Sequence, residues 1–183
     1  MGESHSGNGS QDWESGEWFL QRVMFHEKQR AVKVLHGGAG DGRHTRLLLD
    51  LIFVQPASEV HAIGCYDGPD GERLREAFEE NERVGGGEGR VHLYEGESRE
   101  ILAWMIAGEG YWESFDFIVL DGRPGGPELL ADICQAWSHL KPGGVLDVAK
   151  SGPDCPVAQA LLRVFSGRLD TVIESERLAV VKR

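Results

Sequence analysis

Residues 31–45, AVKVLHGGAGDGRHT, leave few folds open to the chain. Val32, Val34 and Leu35 form a short apolar run of the kind a strand needs when helices cover both of its faces. The turn His36-Gly37-Gly38-Ala39-Gly40-Asp41-Gly42 follows at once, with glycines at 38, 40 and 42. Missing side chains there permit positive φ and let a ligand lie against the backbone. From Arg43 to Val54, Leu47, Leu48, Leu51 and Ile52 form an apolar stripe. The stripe predicts a helix whose N-terminal amide donors face whatever fills the turn. A lone glycine turn reads equally well as a tight connection, so the downstream segments decide between the two.

Those segments repeat the strand-then-helix unit. Val60 to Asp67 is a second strand, and its terminal carboxylate stands 25 positions beyond Gly42, where an acid suited to a pair of ribose hydroxyls is expected. Glu72 to Arg83 is an amphipathic helix, ended by the glycine-rich loop 84–89. Val91 to Tyr94 is a third strand, running into Glu95-Gly96-Glu97-Ser98, and Ser98 is expected to cap a helix from Arg99 to Ala107. Phe115 to Leu120 is a fourth strand that ends in Asp121-Gly122. A helix opened by Pro127 carries Leu130, Ile133, Cys134, Trp137 and Leu140 on one face. Lys141-Pro142-Gly143-Gly144 is expected to end it and turn into a fifth strand, Val145 to Ala149. After a helix from Pro156 to Phe165, Asp170 to Glu176 and Arg177 to Lys182 form a terminal antiparallel pair.

Five βα units and a closing hairpin predict an α/β fold: a doubly wound, mostly parallel, seven-stranded sheet between two helical layers. Ligands bind at the C-terminal ends of the strands in such sheets, where Gly38, Gly40, Gly42, Asp67, residues 96–98 and Asp121 all fall. Residues 1–12 are Gly/Ser/Asn-rich and read as a disordered tail, leaving residues 13–183 as a single domain. A helix is expected over Trp13 to Lys28. With 30 acidic against 19 basic residues and no basic patch, nucleic acid is not an expected partner. Cys65, Cys134 and Cys155 lack metal-ligand spacing and read as reduced, buried thiols. No signal peptide or membrane-spanning run is seen, and a cytoplasmic location is expected.

Taken together, VLHGGAGDG, the strand-ending Asp67, YEGES, FDFIVLDG and LKPGGVL resemble the class I S-adenosylmethionine-dependent methyltransferases over Val32 to Arg183. The nearest flavour is the small O-methyltransferases related to catechol O-methyltransferase. The resemblance implies a Rossmann-like fold with one of the last two strands inserted beside the fifth. It further implies S-adenosyl-L-methionine as cofactor and a small-molecule methyl acceptor. By position, His36, Gly37, Gly38, Ala39, Gly40 and Gly42 would border the methionine part and Asp67 would hold the ribose. Gly96, Glu97 and Ser98 would line the adenine, with Asp121 near the reacting sulfonium.

This chain departs from the family pattern twice. His36 replaces the acid that opens the glycine motif. Ala149-Lys150 stands where the catechol-type enzymes carry metal-binding oxygens, so no metal is expected, and Lys150 is assigned with Asp121 to orient or deprotonate the acceptor. Two other readings stay open: a methyltransferase fold that binds the cofactor without catalysis, and a nicotinamide-dependent oxidoreductase, which shares the turn and the ribose acid.

Overall fold

The computed structural model describes residues 30–52, 55–108, 110–121, 127–149, 155–174 and 178–183. The expected tail, the expected helix over Trp13 to Lys28, and Lys150 lie outside these residues. The elements run β1 (Lys33–Gly37), α1 (Arg43–Ile52), β2 (Glu59–Gly64), α2 (Gly71–Val84), β3 (Val91–Glu95) and α3 (Ser98–Ala107). They continue with β4 (Phe115–Leu120), α4 (Pro127–His139), β5 (Leu140–Val148), α5 (Pro156–Val164), β6 (Leu169–Glu174) and β7 (Leu178–Lys182).

One seven-stranded sheet has the order β3-β2-β1-β4-β5-β7-β6. The first five strands are parallel, and β7 lies antiparallel to both β5 and β6. Strand alternation divides the core between two faces. Val34, Val60, Phe117 and Val119 meet Leu48 and Leu49 of α1 on one face. Leu35, Ile63, Ile118, Leu146 and Val180 meet Leu102 of α3, Ile133 of α4 and Leu161 of α5 on the other. On α1, Leu48 of the expected stripe is buried and Leu47 half-buried, with Thr45 and Leu49 buried as well; the side chains of Leu51 and Ile52 lie outside the described ones.

Three local expectations are corrected. Helix α3 begins at Ser98 itself, with Glu97 in the N-cap position and no side-chain cap bond, so Ser98 does not cap it. Strand β2 ends at Gly64 rather than Asp67. Lys141-Pro142-Gly143-Gly144 forms part of β5 as a long bulge, because the pairing with β4 jumps from Phe115↔Leu140 to Phe117↔Val145. Asp116 sits opposite the bulge and holds it. Its carboxylate, 7 % exposed, accepts bonds from Lys141 Nζ at 2.8 Å, Arg30 Nη1 at 2.7 Å and the Lys33 amide at 2.9 Å. Burial raises the pKa of this acid, but the bonds from Lys141, Lys33 and Arg30 outweigh it and keep the carboxyl below its usual range. Among the described residues, no helix is long and apolar enough to cross a membrane.

Candidate functional site

The glycine turn is stitched to both neighbouring strands. Gly38 and Ala39 donate their amides to Ile63 O of β2 at 3.0 and 2.9 Å, and the Asp121 amide donates to Gly37 O at 2.8 Å. Gly37 has no room for a side chain, since a Cβ would come within 2.9 Å of Leu120 Cδ2. The three glycines 38, 40 and 42 all have positive φ, at 85°, 51° and 80°. Their surroundings separate their roles. A Cβ on Gly42 would meet the Cα and ring of Phe78 at 2.9 Å, so Gly42 allows α1 and α2 to pack. A Cβ on Gly40 would meet only Gly38 O, at 3.8 Å, and this is the open part of the turn.

At the start of α1 two of the expected amide donors are taken by the protein itself. The Gly42 amide bonds Ala39 O at 2.9 Å, and the Arg43 amide bonds the Asp41 carboxylate at 3.2 Å. Asp41 also accepts Arg43 Nε at 2.7 Å. An anion of the protein's own therefore occupies the place where a pyrophosphate would bind a helix N-terminus. The open space of the turn lies over Gly40.

Just past β2 and β3, two carboxylates converge on a thiol. Cys65 Sγ lies 3.5 Å from Glu97 Oε1 and 4.0 Å from Asp67 Oδ2, and all three residues are exposed. The Gly96 amide, on a residue with φ of 148°, bonds Gly64 O at 3.0 Å and brings the β3 loop against the end of β2. Between this cluster and the glycine turn lies Tyr66, whose hydroxyl donates to Gly40 O at 3.1 Å. Its ring passes so close to Gly64 that a Cβ there would sit 2.5 Å from the hydroxyl. Burial, with Glu95 adding to it, pushes the Tyr66 phenol up to about 12, so it stays a neutral donor. Cys65 and Cys134 are exposed and Cys155 is half-buried, all three as free thiols, which corrects the expectation of buried cysteines.

At the end of β4, Asp121 Oδ2 lies 3.0 Å from Nδ1 of His44, in the first turn of α1. The His44 ring meets His36 of β1 edge-on at 5.0 Å, and His36, fully buried, has its Nδ1 2.8 Å from Thr45 Oγ1. The structure thus brings His36 and Asp121 to one place, as the strand order requires. The contribution of His44 was not read from the sequence. Its signal was its place on the turn's first helical residues, facing the strand end next to β1. Ala149 is buried and its amide bonds Leu120 O at 3.0 Å; Lys150, the assigned partner of Asp121, lies outside the described residues.

Residues 35–148 match a family model described as a methyltransferase domain. No curated relative matches the chain in sequence. Among solved structures, the chain is similar to an O-methyltransferase from Bacillus cereus in complex with SAH. That match has TM-score 0.68 and 17% identity, and covers 98% of this chain and 84% of that one. The O-methyltransferase TomG from Streptomyces achromogenes, involved in tomaymycin synthesis and in complex with SAM, matches with TM-score 0.68 and 17% identity over 92% and 80% of the two chains. An SAH-bound methyltransferase from Podospora anserina matches with TM-score 0.62 and 16% identity over 100% of both chains. At these identities the likeness establishes the shared fold.

Proposed function

The chain belongs to the methyltransferase-domain family, and from that premise we propose that it transfers a methyl group from S-adenosyl-L-methionine to an oxygen of a small molecule. The observation that carries this reading is the pairing, at one sheet edge, of an open glycine turn with the exposed acids Asp67 and Glu97. Two carboxylates suit the hydroxyl and amino groups of an adenosine, and the space above Gly40 suits the amino-acid end of the cofactor. The Asp41 carboxylate on the Arg43 amide speaks against a dinucleotide, because it would repel a pyrophosphate at that terminus. The structural relatives bound to SAH and SAM support the same cofactor.

In this reading Asp67 holds the ribose, and Gly96, Glu97 and Ser98 line the adenine. His36, Gly37, Gly38, Ala39, Gly40 and Gly42 shape the wall around the methionine part. When bound, the cofactor supplies an electrophilic methyl group. The protein's work is then to align the acceptor oxygen in line with that methyl, keep water out, and take up the acceptor's proton. Asp121, bonded to His44, is assigned to position the acceptor, and Lys150, which follows β5 in sequence, to orient or deprotonate it. The exposed acids and the free thiols fit a small-molecule partner and a reducing, cytoplasmic location.

Calorimetric titration of the full chain tests the reading. S-adenosyl-L-methionine is expected to bind and NAD is not. Asp67→Ala should weaken binding by about 2 kcal/mol, the scale of a charge-assisted hydrogen bond. Equal affinity in the variant would overturn the ribose assignment, and methyl release on a panel of hydroxylated metabolites separates an enzyme from a protein that only binds the cofactor.

A further inference from the structure

Three side chains that could serve as metal ligands converge where β1, α1 and β4 meet. One ligand atom from each of His36, His44 and Asp121 lies within 4.8 Å of the others. We propose that these three residues bind a divalent first-row metal ion of the zinc type. Two imidazoles and one carboxylate are the donor set that holds zinc or iron(II) through three protein ligands, with further positions left for water or an acceptor oxygen.

The geometry supports this in three ways. The 3.0 Å between His44 Nδ1 and Asp121 Oδ2 fits neighbouring ligands around one ion, which stand about 3.0–3.4 Å apart when each bond is about 2.1 Å. His36 is held from behind by the 2.8 Å contact of its Nδ1 with Thr45 Oγ1; in the tautomer with Nδ1–H the Nε2 lone pair is the one a metal ion would take, with Thr45 as the outer-shell partner. Burial is graded, from His36 at 0 % exposed to the side chains of His44 at 13 % and Asp121 at 32 %, so the set is shielded yet open on the carboxylate side. In register on the sheet, His36 stands between Ala62 and Val119, so its imidazole is flanked by apolar residues. The proposed site also differs from the catechol-type pattern, which takes oxygens from the fourth and fifth strands. Here Ala149 supplies none, and nitrogens come from β1 and α1 instead.

A second grouping, Glu59, His61 and His92, provides an internal control. There His61 bonds Tyr94 Oη at 2.9 Å through Nδ1 and faces Glu59 at 3.4 Å through Nε2, while Glu59 also faces Lys33 Nζ at 3.6 Å. The Lys33 ammonium beside Glu59 is the difference, and a resident cation there disfavours a metal.

Full-length protein stripped with a chelator and titrated with Co²⁺ reads the site without any methyl transfer. The expected result is one Co²⁺ per chain with ligand-field absorption in the visible, displaced by Zn²⁺. His44→Ala and Asp121→Asn, both at partly exposed positions, should abolish it with the circular dichroism unchanged. Thr45→Val should weaken it by roughly ten- to a hundredfold, the usual loss for an outer-shell partner. His61→Ala should leave it intact. Absence of stoichiometric binding, binding that survives His44→Ala and Asp121→Asn, or binding lost in His61→Ala would each overturn the proposal. If one variant fails to fold, the other decides.

Discussion

At the scale of single residues, the glycine turn separates architecture from binding. Gly42→Ala forces a side chain onto Phe78 at a φ of 80°, and should cost about 3 kcal/mol in urea unfolding. Gly40→Leu meets open space at a φ of 51°; it should cost only about 1 kcal/mol while removing calorimetric cofactor binding. The opposite ranking would reverse the roles assigned to the two positions. Asp132 on α4 presents an electrostatic case. Burial, opposed by Arg99 and reinforced by Glu97 and Glu128, pushes its carboxyl from 3.8 to about 6. A raised carboxyl pKa means that the folded state resists ionisation. The cost is therefore absent below the unfolded pKa and fully present above about 6. The full shift would amount to about 3 kcal/mol, but the group is only half-buried, and water screening leaves about 1 kcal/mol. Asp132→Asn should therefore stabilise the protein by about 1 kcal/mol at pH 7, with the gain fading to nothing by about pH 3.5; a gain that persists in acid would point to packing instead.

At the scale of elements, periodicity made most of the fold readable, because strands covered on both faces and helices with one apolar stripe leave different patterns. What periodicity could not show depends on tertiary partners. Lys-Pro-Gly-Gly has the composition of a turn, and only the Asp116 carboxylate on the adjacent strand makes it a bulge within β5. Helix α1 carries leucines at 47, 48 and 49, and the burial of Leu49 over Leu47 follows from which of them meets the valines of β1 and β2. Site residues at strand ends could be placed by chain order alone, as with Asp67 and Asp121. The contacts of His44 with Asp121 and of Tyr66 with Gly40 join residues 77 and 26 positions apart, and only the strand order brings their segments together.

At the scale of the whole molecule, a buried amine reinforces the ladder that joins the antiparallel strands to the parallel ones. Lys182 Nζ, on a side chain 11 % exposed, donates to Leu140 O at 2.7 Å, Trp137 O at 3.1 Å and Glu113 Oε1 at 3.0 Å. Lys182→Met keeps the stem but strands two carbonyls, and should lower stability by about 3 kcal/mol. Arg183→Met, which breaks an exposed pair with Asp170, should change it by less than about 0.5 kcal/mol. Calorimetric melting of the two variants checks the contrast, and equal shifts would sink the role given to Lys182. The sheet order has a further consequence for how the chain comes off the ribosome. β7 sits between β5 and β6, yet it is synthesised after both. Until residues 178–182 emerge, β5 presents an unpaired edge and β6 has no neighbour to join, so the nascent sheet waits open on one side. That open edge makes the last strand a late, long-range step in folding and β5 the segment most in need of protection from other chains during synthesis.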